Sequence, residues 1–160
     1  MIEMSPEEVD ETDVYWMNKA LELAQKAGDS DEVPIGSVLI SENNQCIGEG
    51  WNQPISTDDP TAHAEILALR DAAKRLNNYR LPDTTLYVTL EPCPMCAGAI
   101  VQARIRRVVI ATPDPRTGSA GSVFNLLNSP HLNHRVAVTT GVLQQECSSL
   151  LKTFFLDKRK

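Results

Sequence analysis

Strand-length apolar runs alternate with helix-periodic segments through the second half of this 160-residue chain, and no other feature restricts its fold so much. The runs at 85–90, 107–111 and 135–139 are rich in Val, Ile, Leu and Thr, as strands are. Between and after them, 94–104 and 142–158 read as helices. Strands separated by a helix pair in parallel through a crossover, so a sheet with helices packed on it is expected. Ahead of them, 34–41 and 45–51 flank Glu42-Asn43-Asn44 and predict an antiparallel hairpin. The segment 63–76 predicts a helix with Ile66, Leu69, Ala73 and Leu76 on one face. A first helix is expected from Ser5 (N-cap), Pro6 and Glu8 (capping box), with Met17, Ala20, Leu21, Ala24 and Ala27 inward and a stop at Gly28. The stretches 53–60 and 112–121 read as loops, and 123–127 as one short helix. The expected fold class is α/β: a three-layer αβα sandwich whose mixed five-stranded sheet carries helices on both faces. No repeat or linker divides it, so 1–160 reads as one domain.

Composition narrows the function. Hydrophobic residues at 42% and charged residues at 22% are globular values, which exclude a disordered or collagen-like chain. No apolar run approaches membrane-span length, and the acidic N-terminus has neither the basic nor the apolar part of a secretory signal; a cytoplasmic protein with no membrane partner is expected. The net charge of −6 disfavours non-specific nucleic-acid binding. Yet the first 32 residues hold ten acids against Lys19 and Lys26, which leaves the remainder slightly basic and open to a polyanionic ligand.

Two short motifs carry the chemistry: His63-Ala64-Glu65 and Pro92-Cys93-Pro94-Met95-Cys96, each where a helix begins. At a helix start, cysteines three apart can turn both sulfurs to one metal, and the helix N-terminus favours their thiolates. His63 supplies a third ligand. Three protein ligands leave a fourth tetrahedral position for water, the mark of a catalytic zinc site. Fe²⁺ would meet the same ligands, although two thiolates favour zinc. Within a regular helix, His63 and Glu65 would point in nearly opposite directions. With His63 at the cap, Glu65 can face the same pocket without ligating, placed to take a proton from the water and return it to the substrate.

Together, H-x-E and P-C-x-x-C are the signature of zinc-dependent nucleobase deaminases. With them in view, the chain resembles the bacterial tRNA adenosine deaminases of the cytidine deaminase superfamily. The resemblance runs from Tyr15-Trp16-Met17 to Phe154-Phe155, through Glu32-Val33-Pro34-Ile35-Gly36, Gly48-Glu49-Gly50-Trp51-Asn52, Asp59-Pro60-Thr61-Ala62-His63-Ala64-Glu65, Asn78-Tyr79-Arg80-Leu81 and the stretch from Leu86 to Ala99. Asp114-Pro115-Arg116-Thr117-Gly118-Ser119-Ala120-Gly121-Ser122 and Asn133-His134-Arg135-Val136 favour the tRNA branch. The resemblance implies deamination of the wobble adenosine of a tRNA anticodon loop to inosine. It also implies one Zn²⁺ per chain on His63, Cys93 and Cys96, Glu65 as proton shuttle, a tRNA anticodon stem-loop as partner, and a homodimer. It further implies substrate contacts at Asn52, the Ala64 backbone N–H, Asp114, Arg116 and Phe155. Arg116 stands where many relatives carry Lys, and Pro113 and Pro115 bracket Asp114, which stiffens that loop. A small-molecule deaminase acting on guanine, cytosine or a nucleoside is the alternative; a non-catalytic zinc domain fits poorly with Glu65.

Other motifs have plainer readings. His131 and His134 have metal-like spacing without a third ligand and read as solvated or capping. Cys46 and Cys147 read as packing residues, and Trp16 as core. Lys158-Arg159-Lys160 reads as a solvated basic end.

Overall fold

A computed structural model describes residues 10–158. Five strands form one mixed sheet: β1 (Gly36–Ile40), β2 (Cys46–Trp51), β3 (Thr85–Leu90), β4 (Arg107–Thr112) and β5 (Ala137–Thr140). Their order across the sheet is β2-β1-β3-β4-β5. β1 pairs antiparallel with both β2 and β3, while β3–β4 and β4–β5 are parallel. Only β1 therefore runs against the rest, and the carboxyl ends of β2, β3 and β4 open on one edge of the sheet.

Among the described residues five helices accompany it: α1 (Glu11–Asp29), α2 (Pro54–Thr57), α3 (Ala64–Leu76), α4 (Pro94–Gln102) and α5 (Gln144–Lys158). Alternating strand residues feed two cores, because side chains along a strand point to opposite faces. Leu39, Leu86, Val88, Val108 and Ile110 pack against Ala68, Leu69 and Ala72 of α3 and Ala97, Ile100 and Val101 of α4. Val38, Ile40, Tyr87, Val109 and Ala111 pack with Trp16, Met17 and Ala20 of α1 and Cys147 of α5. The expected αβα sandwich is thus present, with α3 and α4 on one face and α1 and α5 on the other. No helix among the described residues is long and apolar enough to cross a membrane.

The layer of α1 is pinned by a buried ion pair. Asp13, 2% exposed, accepts from Arg107 Nη1 at 3.0 Å and Nη2 at 2.6 Å, and from the Tyr87 hydroxyl at 2.7 Å. Burial, then the hydrogen bond to Asp13, pushes the Tyr87 phenol above its usual range.

Several boundaries differ from the sequence reading. The Ser5–Glu8 capping box and the basic residues 159 and 160 lie outside the described residues. Asp10 caps α1, accepting from Thr12 N at 2.9 Å. The helix runs one residue past Gly28 and closes on Ser30, whose N–H donates to Ala27 O at 3.0 Å, while the Asp31 N–H donates to Gly28 O at 3.1 Å. The loop 53–60 contains α2, because Pro54 starts a turn and the buried Glu32 carboxylate receives the N–H groups of Ile55 and Ser56 at 3.2 and 2.7 Å. In α3, Ala72 takes the inward place expected of Ala73, and Leu76 is exposed where the helix ends at Asn77 in the left-handed region. α4 ends at Gln102, short of 104, where Arg104 also has positive φ. No helix forms at 123–127: the N–H groups of Val123 and Phe124 both turn back to Gly118 O, and Ala120 bridges Asn125.

Candidate active site and metal centre

The approach of α3 to the sheet sets the first half of the site. A side chain at Gly50 in β2 would put its Cβ 2.1 Å from Ala64 O and 2.6 Å from Ala68 N. Only glycine lets the first turn of α3 rest directly on the strand. That contact brings the helix start beside Asn52, one residue past the end of β2. The Ala64 N–H, free of an intrahelical partner because it opens the helix, donates to Asn52 Oδ1 at 2.8 Å. Asn52 is buried, and its side-chain NH₂ has no protein partner among the described residues.

His63 is the N-cap of α3 in extended conformation, and Cys93 is the N-cap of α4, likewise extended. Their side chains therefore turn across the two helix mouths. His63 Nδ1 lies 3.6 Å from Cys93 Sγ and 3.5 Å from Cys96 Sγ, and the three ligand atoms lie within 4.8 Å of one another. A tetrahedral zinc with Zn–S near 2.3 Å and Zn–N near 2.0–2.1 Å separates sulfur from nitrogen by about 3.6 Å. The donor set and its spacing fit such an ion.

The acid–base properties of the group are equally uneven. Hydrogen bonding from Cys96 and then from His63, against the cost of burial, pulls the Cys93 thiol down to about 4. Cys96, sharing that hydrogen bond and more deeply buried, is pushed strongly up. His63 is raised, chiefly by its hydrogen bond to Cys93. Glu65, in the first turn of α3 and 4% exposed, is pushed by burial up to about 7, with the Cys93 charge adding to it. Outside this group, His131 is exposed and His134 Nε2 meets Ile105 O at 2.7 Å.

The three remaining expected contacts gather elsewhere. Asp114, Arg116 and Phe155 line an open cavity of about 600 Å³ between the loop after β4 and α5. None of the three metal-ligand candidates lines it; Leu90, at the end of β3, borders it and leads into the segment carrying Cys93. Asp114 has its carboxylate turned on its own loop, accepting from Arg116 N at 2.9 Å and Thr117 Oγ1 at 3.2 Å. Phe155 is half-exposed and stacks edge-on against Phe154. Two residues escaped the sequence reading. Lys152 adds a second cation to the groove; its place three residues before Phe155, on the same helical face, was the available signal. Glu91 is a buried carboxylate closing an otherwise apolar strand.

Comparison with known proteins agrees with this geometry. Residues 10–112 match the cytidine and deoxycytidylate deaminase zinc-binding region. A tRNA-specific adenosine deaminase of Haemophilus influenzae is 53% identical over 150 residues, covering 94% of this chain and 87% of that protein. A solved tRNA:A34 deaminase, studied for A-to-I editing at the wobble position of transfer RNA, superposes with a TM-score of 0.83 at 42% identity, over 86% of this chain and 99% of that one. A guanine deaminase from Nitrosomonas europaea superposes with a TM-score of 0.77 at 25% identity, over 96% and 86% of the two chains. By sequence and by fold alike, the chain belongs to the zinc-binding cytidine and deoxycytidylate deaminase family, on the branch of the tRNA-specific adenosine deaminases.

Proposed function

We propose that the protein hydrolyses the wobble adenosine of a tRNA anticodon loop to inosine, releasing ammonia. The observation that carries this is a buried carboxylate beside a His/Cys/Cys group at two helix mouths, in a chain 53% identical to a tRNA-specific adenosine deaminase. His63, Cys93 and Cys96 would hold the zinc, which supplies Lewis-acid activation of water at neutral pH. Glu65 takes the water's proton, gives it to adenine N1, and supports its passage to the departing amino group. A carboxyl raised by burial above its usual range is suited to both taking and returning a proton near neutrality. Asn52, with Oδ1 held by Ala64, has its NH₂ free to donate to a ring nitrogen of the base. The Ala64 N–H is shared between Asn52 and the substrate. Along the groove, Arg116 and Lys152 meet phosphates, and Phe155 offers a face for an unstacked base. Asp114 acts by shaping the loop that carries Arg116.

The whole chain is proposed to work as one catalytic domain in the cytoplasm, where tRNA is found. A homodimer is inferred as well: Ile55, 74% exposed, and Val123 and Phe124 leave apolar surface that a second copy would cover. Sedimentation at micromolar concentration tests this, and a monomer at every concentration would refute it.

The decisive experiment offers the zinc-loaded protein an anticodon stem-loop with a wobble adenosine, and separately free adenosine, guanine, cytosine and cytidine. Inosine in the stem-loop alone is expected. Ammonia from guanine with an untouched stem-loop would transfer the function to the small-molecule branch, to which the guanine deaminase likeness and the acidic net charge point.

A further inference from the structure

We propose that Glu91 is a positioning residue that fixes the substrate loop 113–122 onto the segment holding the metal-ligating cysteines, and so sets affinity for the nucleic-acid substrate. The proposal rests on the tRNA reading above. Glu91 is 5% exposed and does not line the groove; all of its polar contacts are with the loop and with β4. Its Oε1 accepts from Asp114 N at 3.1 Å and from the Ser122 hydroxyl, while Oε2 accepts from Ala120 N at 2.9 Å and Ser122 N at 3.2 Å. Its own N–H donates to Thr112 O at 2.9 Å, and the next residue, Pro92, accepts from Ser119 N at 2.9 Å. One side chain thus satisfies three backbone donors spread over nine residues of an exposed loop. Such a segment has no regular secondary structure to do so.

The loop is built around this carboxylate. At Gly118 a Cβ would lie 2.4 Å from Glu91 Cδ and 2.5 Å from both Glu91 Oε2 and Asp114 O. Only a residue without a side chain lets the chain pass there. Gly118 also organises both sides of the turn, donating to Asp114 O at 3.0 Å and accepting from Val123 N and Phe124 N, each at 3.0 Å. Asp114 is thereby held through both its N–H and its C=O, and Arg116 follows two residues on. Glu91 lies two residues from Cys93, so the same short segment grips both the metal group and the loop.

Glutamine at position 91 keeps the shape but must turn its NH₂ toward at least one backbone N–H, since both carboxylate oxygens receive one. The test uses the zinc-loaded full chain, with Glu91→Gln and Gly118→Ala approaching the contact from its two sides. Amide hydrogen exchange over 114–122, zinc content, and KM and kcat on the wobble-adenosine stem-loop are measured. Expected are loop exchange at least ~10-fold faster, KM raised ~5-fold or more, kcat within ~3-fold of the parent and about one zinc per chain. Loss of zinc, or a fall in kcat at unchanged KM, would show that Glu91 serves the metal group and overturn the proposal. Unchanged exchange and KM in either folded variant would overturn it as well. Should Glu91→Gln fail to fold, Gly118→Ala alone decides by the same criteria. If the parent protein leaves the stem-loop untouched and deaminates a free base, the tRNA reading fails. The same KM-against-kcat split on that base then decides the role of Glu91.

Discussion

Replacing Glu65 by Gln tests the proton shuttle with the least disturbance of everything around it. The two side chains have the same shape, and the site that receives them is closed: Glu65 is 4% exposed, in the first turn of α3. Glu65 contributes none of the three candidate ligand atoms, so the metal group is not dismantled. The substitution removes the ability to take and return a proton, and with it both transfers the reaction needs. A positioned general acid–base group contributes roughly 10²–10⁴-fold in rate, which corresponds to about 2.7–5.4 kcal/mol of barrier. The loss falls on kcat, because nothing that binds the RNA has changed. Single-turnover inosine formation under saturating zinc-loaded protein measures it directly, with metal content determined on the same sample. Expected is a fall of at least ~10² in rate at unchanged zinc and unchanged stem-loop affinity. A rate within tenfold of the parent, with zinc still bound, would refute the assignment and move the proton to another carrier.

Three further outcomes are expected from the geometry. Cys96→Ala removes one of three ligand atoms, and purified protein should hold well under half of one zinc per chain by elemental analysis; full retention would overturn the ligand set. Arg116→Glu should weaken stem-loop binding and flatten the slope of log affinity against log salt by about one to two phosphate contacts, leaving zinc content unchanged; an unaltered slope would take Arg116 out of the interface. Asp13→Ala leaves the Tyr87 hydroxyl without its partner and Arg107, which keeps Thr139, without its counter-charge; this should cost about 3–5 kcal/mol, or roughly 6–20 °C in Tm, with kcat at 25 °C unaffected, and a shift under 2 °C by calorimetry would contradict the ion-pair account.

Legibility in the sequence depended on how local each determinant was. The strand Thr85–Leu90 and the helix start at His63 were readable because strand propensity and the helix cap are encoded within a few residues. The same holds for the metal group, since both of its halves sit at helix starts. The short helix at Pro54 was not readable. Its first N–H groups are received by Glu32, more than twenty residues earlier, and no local pattern announces that partner. The apolar Val123-Phe124 suggested a helix, but Gly118 captures both N–H groups into a turn, and the side chains remain exposed. Leu76 had the right period for the core, yet α3 ends just where the sheet no longer covers it. The groove escaped for a further reason: Lys152 and Arg116 are far apart in the chain and meet only because α5 packs beside the end of β4.

The topology explains why the proposed chemistry and the proposed RNA groove lie at the same edge. β2, β3 and β4 run in one direction, and each delivers candidate site residues just past its own carboxyl end: Asn52 after β2, Glu91 and Cys93 after β3, and the loop bearing Asp114 and Arg116 after β4. β1 runs the other way, so its beginning reaches that edge too, with Val33 at the groove and Glu32 anchoring α2 just beyond Asn52. Ligand sites in open α/β sheets form outside the carboxyl ends of strands, where loops can vary without cost to the core. Here two of those loops are not free to vary. Each is tied to a buried glutamate, Glu32 or Glu91, and in both cases burial alone would raise the carboxyl. Hydrogen bonds outweigh it and hold both below the ordinary value of 4.5. Both carboxylates therefore stay charged through neutral pH, and the two loops are held before any substrate arrives. For an enzyme that must take an unpaired base out of an RNA loop, such preorganisation places the ordering cost in folding and not in binding.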